Sequence, residues 1–115
     1  MRRDLDRLQD ILAACEAIER HAAGEEEFNA NEMLQVWYLK HIEIIGEASA
    51  RLSLGIRERY PEIPWREIVG MRNMLIHGYF DIDWQAVWLV GQRDLPRLRP
   101  QIRRIIEIEG QDENS

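Results

Sequence analysis

Apolar residues in this chain recur three and four positions apart over nearly its whole length, and nowhere do they alternate with polar ones in a strand pattern. That period gives each segment one apolar helical stripe and leaves no half-buried strand from which to build a sheet. Leu5, Leu8, Leu12 and Cys15, widened by Ile11 and Ile18, predict a first helix with Asp4 as its N-cap. His21 to Asn29 is expected to be a polar loop. A long second helix follows from about Asn31 to Leu54 and would span about 36 Å. Its seam is Leu34, Tyr38, His41, Ile45, Ala48 and Leu52, yet Val36, Trp37, Ile42 and Ile44 fall outside it. So wide an apolar arc suits one face on the core and another on a partner subunit, or a central helix wrapped by its own chain.

Gly55 breaks that pattern, and Tyr60 to Trp65 reads as a rigid connector with Pro64 in the first turn of a third helix. Ile68, Met71 and Leu75 give this helix its stripe, and Gly78 is expected to cap it in the left-handed conformation just past His77. Asp81 or Asp83 then caps a fourth helix with Trp84, Val87, Trp88 and Gly91 on one side. Asp94-Leu95-Pro96 starts a fifth, striped by Leu98, Ile102, Ile105 and Ile106. The expected fold class is all-α, an up-and-down bundle of four to five helices. A polar tail from Glu109 is expected to fray, leaving residues 1–110 as the single domain and 111–115 outside it.

Composition narrows the function classes. Net charge is −6, which argues against a general nucleic-acid coat protein. Within residues 91–106, however, Arg93, Arg97, Arg99, Arg103 and Arg104 face one acid, Asp94. That strip could follow a phosphate backbone or simply be a solvated helix face. The single Cys15 allows no internal disulfide and reads as a small core hydrophobe. Neither a signal peptide nor an apolar run of about 18 residues is present, so a soluble cytoplasmic protein with no membrane partner is expected. No P-loop, dinucleotide fingerprint or metal-ligand spacing occurs, so neither cofactor nor metal is expected.

Chemistry concentrates in one string, Arg72-Asn73-Met74-Leu75-Ile76-His77-Gly78-Tyr79. A fixed cation, an amide, an imidazole and a phenol lie within two helical turns. An imidazole moves protons near neutrality, a guanidinium holds a phosphate, and an amide orients either. RNA supplies its own nucleophile in the 2′-hydroxyl, so this set suffices for phosphodiester cleavage without a metal. On a continuous helix Asn73 and His77 stack one turn apart, while Arg72 and His77 point about 140° away from each other. One copy would converge poorly on one phosphate. Two copies across a two-fold axis, one subunit's arginine near the other's histidine, would do better, and a symmetric homodimer is the commonest oligomer.

With that string in place, the chain resembles the HepT-like branch of the HEPN superfamily over about residues 4 to 106. The resemblance rests on Arg72-Asn73 followed by His77-Gly78-Tyr79, on IEIIGEA at Ile42–Ala48, on YPEIPWREIVGMRN at Tyr60–Asn73, and on DLP at Asp94–Pro96. It implies a metal-independent endoribonuclease toxin of a type II toxin–antitoxin system, directed at RNA and in particular tRNA. It also implies Arg72 and His77 as the catalytic pair in a homodimer cleft, with Asn73 positioning. A minimal nucleotidyltransferase antitoxin of the MntA type would neutralise the toxin by AMP transfer to Tyr79. The alternative is a non-nucleolytic module that is only partner and AMP acceptor of that enzyme, or a plain helical dimer without chemistry. In one place the chain departs from the family: where Arg-Asn is usual before IEIIGEA, Lys40-His41 stand. Lysine keeps the charge without the bidentate fork. His41 could join the cleft or sit as a polar residue on a partly buried face.

Overall fold

The computed structural model describes residues 2–78 and 80–114, with backbone alone at Arg2 and 112–114. Three long helices frame it: α1 (Arg2–Arg20), α3 (Glu32–Ala50) and α8 (Leu95–Asn114). Between them lie α2 (Glu25–Ala30), α4 (Leu54–Arg59), α5 (Trp65–Val69), α6 (Met71–Leu75), the strands β1 (Ile76–Gly78) and β2 (Asp81–Ile82), and α7 (Trp84–Leu89). The all-α class holds, with one small hairpin that the periodicity does not predict. None of the described helices is long and apolar enough to cross a membrane.

The long helices form because their stripes pack on one another. Leu8, Ile11, Cys15 and Ile18 of α1 meet Tyr38, Ile42, Ile45 and Ala48 of α3, and Leu95, Leu98, Ile102 and Ile105 of α8 close the core. Helix α3 begins where expected, since the Asn31 carboxamide oxygen accepts from Leu34 N at 3.1 Å. It stops at Ala50, short of Leu54, and is about 28 Å long. Burial, helped by the negative charges of Glu19 and Glu16, pushes the Cys15 thiol up to about 12, so it stays protonated as a core hydrophobe.

Two short helices replace expected irregular chain. The Glu25–Glu27 triplet sits in the first turn of α2, where carboxylates suit the helix dipole, and Phe28 is buried against Tyr38 at 4.9 Å. Gly55 lies inside α4, whose N-cap Ser53 accepts from Ile56 N. Asp4 is not a cap for α1. It is buried within that helix, where its two oxygens accept from Ser53 N at 2.9 Å and Ser53 Oγ at 2.7 Å, tying α1 to α4. Glu109 likewise belongs to the packed protein and not to a frayed tail. It is buried and accepts from Arg59 Nη2 at 2.8 Å and from the Tyr60 hydroxyl at 2.6 Å.

The expected third helix is broken twice. Gly70 ends α5 and starts α6, and α6 ends at Leu75 because Ile76 is extended (φ −112°, ψ 108°). Ile76 then pairs with Ile82 and Gly78 with Asp81 in an antiparallel hairpin. The Leu75 carbonyl accepts from Asp83 N at 2.8 Å, which satisfies it without another helical turn. Gly78 is therefore a strand residue, and none of the described glycines has positive φ. Asp83 does cap α7, accepting from Ala86 N at 3.0 Å. From α7 the chain continues through a wide π-turn, Val90–Asp94, directly into α8. That turn accommodates Pro96, which lacks an amide donor and would crowd the carbonyl four residues before it.

Candidate functional site

Helix α6 divides its side chains between two environments. Met71, Met74 and Leu75 line an open cleft of about 540 Å³, together with Ile68, Leu89 and Leu98 and a charged rim that includes Glu67 and Arg97. Arg72 and Asn73 are exposed and do not line that cleft. The polar edge of α6 and the β1 strand that follows it carry the candidate chemistry.

Arg72 donates from Nε to Glu43 Oε2 of α3 at 3.1 Å, and its side chain is 59% exposed. Among the described residues its terminal nitrogens have no other partner. The packing of α3 on α5 and α6 makes this meeting possible. At Gly46, one turn beyond Glu43, a Cβ would lie 3.3 Å from the Ile68 carbonyl oxygen, so glycine lets the α5 backbone press against α3. The Asn73 side chain is exposed and unbonded among the described residues. His77 is exposed on β1, and the strand register shifts between Ile76 and Gly78, so the imidazole sits at the irregularity. Bulges of this kind re-aim a side chain. The His77 imidazole too makes no hydrogen bond, ion pair or ring contact among the described residues. Tyr79 lies outside them.

The helical projection of the motif does not apply. Residues 72 and 73 are helical but 77 is extended, so neither the i, i+4 stacking of Asn73 on His77 nor the 140° divergence of Arg72 from His77 holds. The structure brings Arg72 and Asn73 onto one short helix and His77 onto the adjoining strand; among the described residues no hydrogen bond links the three. Sequence reasoning missed Glu43 as an individual residue. Its signal was its place in IEIIGEA, 29 residues before its partner.

Lys40 is exposed on α3 beside Met33, Val36 and Trp37. His41 is half-buried: Nδ1 lies 2.8 Å from the Trp37 carbonyl, which can only accept, and its ring packs on Trp37 at 4.4 Å. Arg93, Arg99 and Arg103 of the arginine strip are paired within the fold. Arg99 pairs with Glu19 at 2.8 Å and Arg103 with Glu16 at 2.7 Å, which fastens α8 to α1, and Arg93 pairs with its neighbour Asp94 at 3.2 Å. Among the described residues no three His, Cys, Asp or Glu side chains gather to hold a metal ion.

Against known proteins, a family model described as "Ribonuclease HepT-like" matches residues 11–105. The chain is 42% identical over 91 residues to a protein of Methanocaldococcus jannaschii named as a candidate RNase, covering 78% of this chain and 75% of that one. It is 36% identical over 102 residues to a candidate HepT ribonuclease of Thermococcus cleftensis, covering 87% and 93%. A candidate RNase of Caldanaerobacter subterraneus is 35% identical over 104 residues, covering 89% and 93%. No solved structure matches the chain.

Proposed function

This chain belongs to the HepT-like ribonuclease family, and we propose that it is a metal-independent endoribonuclease toxin of a type II toxin–antitoxin system. Its main support in the fold is that Arg72 and His77, on adjoining elements, are both exposed with polar atoms left uncommitted among the described residues. His77 takes the proton of a ribose 2′-hydroxyl as its oxygen attacks phosphorus. Arg72 holds the non-bridging oxygens as charge builds on them, and Asn73 orients the pair. The bond to the 5′-oxygen breaks, and that oxygen takes a proton. A symmetric dimer would supply a second imidazole to give it. The products are a 2′,3′-cyclic phosphate, or its hydrolysis product, and a 5′-hydroxyl. Tyr79, two residues from His77, is the proposed site of AMP transfer by a minimal nucleotidyltransferase; added bulk and negative charge there would repel a substrate phosphate.

Total tRNA incubated in EDTA with protein whose mass shows no AMP is expected to yield fragments with those ends, while DNA, lacking the nucleophile, is spared. Intact tRNA would overturn the nuclease reading and leave the AMP-acceptor module.

The same reading includes a homodimer, and α3 offers a face for it. Met33 is 84% exposed and Val36 55%, and they form an exposed apolar stripe beside Trp37, whose indole N–H is tied to the Ala17 carbonyl of α1. Val36 and Glu43 are two turns apart on one face, so a second copy seated on the stripe would abut Arg72. Val36→Asp should leave the fold intact, shift the light-scattering mass from dimer to monomer, and cost most of the cleavage. A variant that stays dimeric would place the interface elsewhere.

A further inference from the structure

We infer that Glu43 is a positioning residue for Arg72, holding the guanidinium by its Nε edge so that both terminal nitrogens face outward as a fork for one RNA phosphate. This rests on the ribonuclease reading and adds a residue and a geometry to it. A guanidinium presents five donors in one plane. The Glu43 carboxylate takes only the Nε–H, at 3.1 Å, and the remaining donors are unbonded among the described residues on a side chain that is 59% exposed. A phosphate needs two parallel donors, which the terminal edge still offers. Glu43 and substrate can therefore bind together, on different edges of one group.

An unheld arginine is a poor clamp, because its long side chain samples many rotamers. Glu43 stands on α3, the longest helix packed against α5 and α6, where Gly46 lets the Ile68 carbonyl approach. That anchor is rigid, whereas α6 is five residues long and is followed at once by strand. The carboxylate also has a cost. Its negative charge weakens the attraction of the site for RNA, at a distance where partial exposure leaves it only partly screened. Geometry and charge thus act in opposite directions, which makes them separable. Glu43→Gln keeps an oxygen to accept from Nε and removes the charge, whereas Glu43→Ala removes both.

The test compares wild type, Glu43→Gln, Glu43→Ala and Arg72→Ala in kcat and KM on total tRNA in EDTA. It also follows the Arg72 Nε–H by ¹⁵N NMR, assigned from its loss in Arg72→Ala. Glu43→Ala is expected to lose about tenfold to a hundredfold in kcat and to release the Nε–H into fast solvent exchange. Glu43→Gln is expected to keep kcat within about threefold, to lower KM, and to keep the protected Nε–H, because only the charge has gone. A wild-type kcat in Glu43→Ala overturns the inference, as does a Glu43→Gln variant that falls as far as Glu43→Ala. If Arg72→Ala is dead while Glu43→Ala is unimpaired, only the positioning role fails. If Arg72→Ala still cuts, the motif is not the nuclease and both readings fall. If even wild type leaves tRNA intact, the NMR signal decides: protection that survives in Glu43→Ala overturns the hold.

Discussion

His77→Ala is expected to lower the single-turnover rate of RNA cleavage in EDTA by about 10²–10⁴-fold, the usual worth of a positioned general base. Arg72→Ala should cost about 10²–10³-fold, the scale for losing one donor to a developing oxyanion. Both side chains are exposed and neither helps build the core, so melting temperatures should stay close to wild type. That separation makes the experiment informative: a lost rate with an unchanged melt lies in chemistry, not folding. The double variant should be little worse than the slower single one, because groups acting on one transition state are not additive. Arg72→Lys should also be strongly impaired, since lysine keeps a charge but has neither the fork nor the Nε donor that meets Glu43. Cleavage at the wild-type rate by either alanine variant would remove the motif from the mechanism.

What could be read from the sequence divides along physical lines. Helices α1, α3 and α8 were legible because each carries a continuous stripe several turns long, such as Leu98, Ile102 and Ile105, and such a pattern has one low-energy solution. Helices α2 and α4 were not, since six isolated residues barely display a period, whereas the equally short α7 runs on through the π-turn towards α8 and so extends its stripe. The break at Leu75 was hidden for a different reason. Nothing local forbids another turn there; the amide of Asp83, eight residues on, takes the carbonyl instead. Asp4 and Glu109 were misread as cap and tail because their partners, Ser53 and the Arg59–Tyr60 pair, are about 50 residues away. The site shows the same split. The residue types at 72–77 were visible, but the projection that related them assumed helix where the chain is strand, and Glu43 enters only through tertiary packing.

Gly91→Ala should be the most damaging glycine-to-alanine change among the described residues. In a helical segment alanine is normally the better residue, by about 0.5–1 kcal/mol. Here the added carbon would lie 2.7 Å from Tyr38 Cε2, 2.9 Å from Cδ2 and 3.3 Å from Ile18 Cγ2. A real Cβ essentially never comes as close as these two tyrosine carbons, so something must move, and the neighbour is not a loose one. Tyr38 is 1% exposed, its ring packs on Phe28 at 4.9 Å, and its hydroxyl donates to the His21 carbonyl at 3.2 Å. Displacing it disturbs the junction of α1, α2 and α3, whereas shifting Gly91 disturbs the π-turn that carries the chain into α8. Overpacking of this kind costs about 1–3 kcal/mol, enough to outweigh the gain in propensity. The melting temperature should fall by roughly 4–15 °C. Tyr38→Leu removes the obstructing ring edge and is itself destabilising. Combined with Gly91→Ala, it should lose less than the sum of the two, because the clash is counted in one and absent from the pair. Additive losses would mean that the methyl group is resisted by the π-turn itself and not by the tyrosine, and a raised melting temperature would show that the contact yields easily.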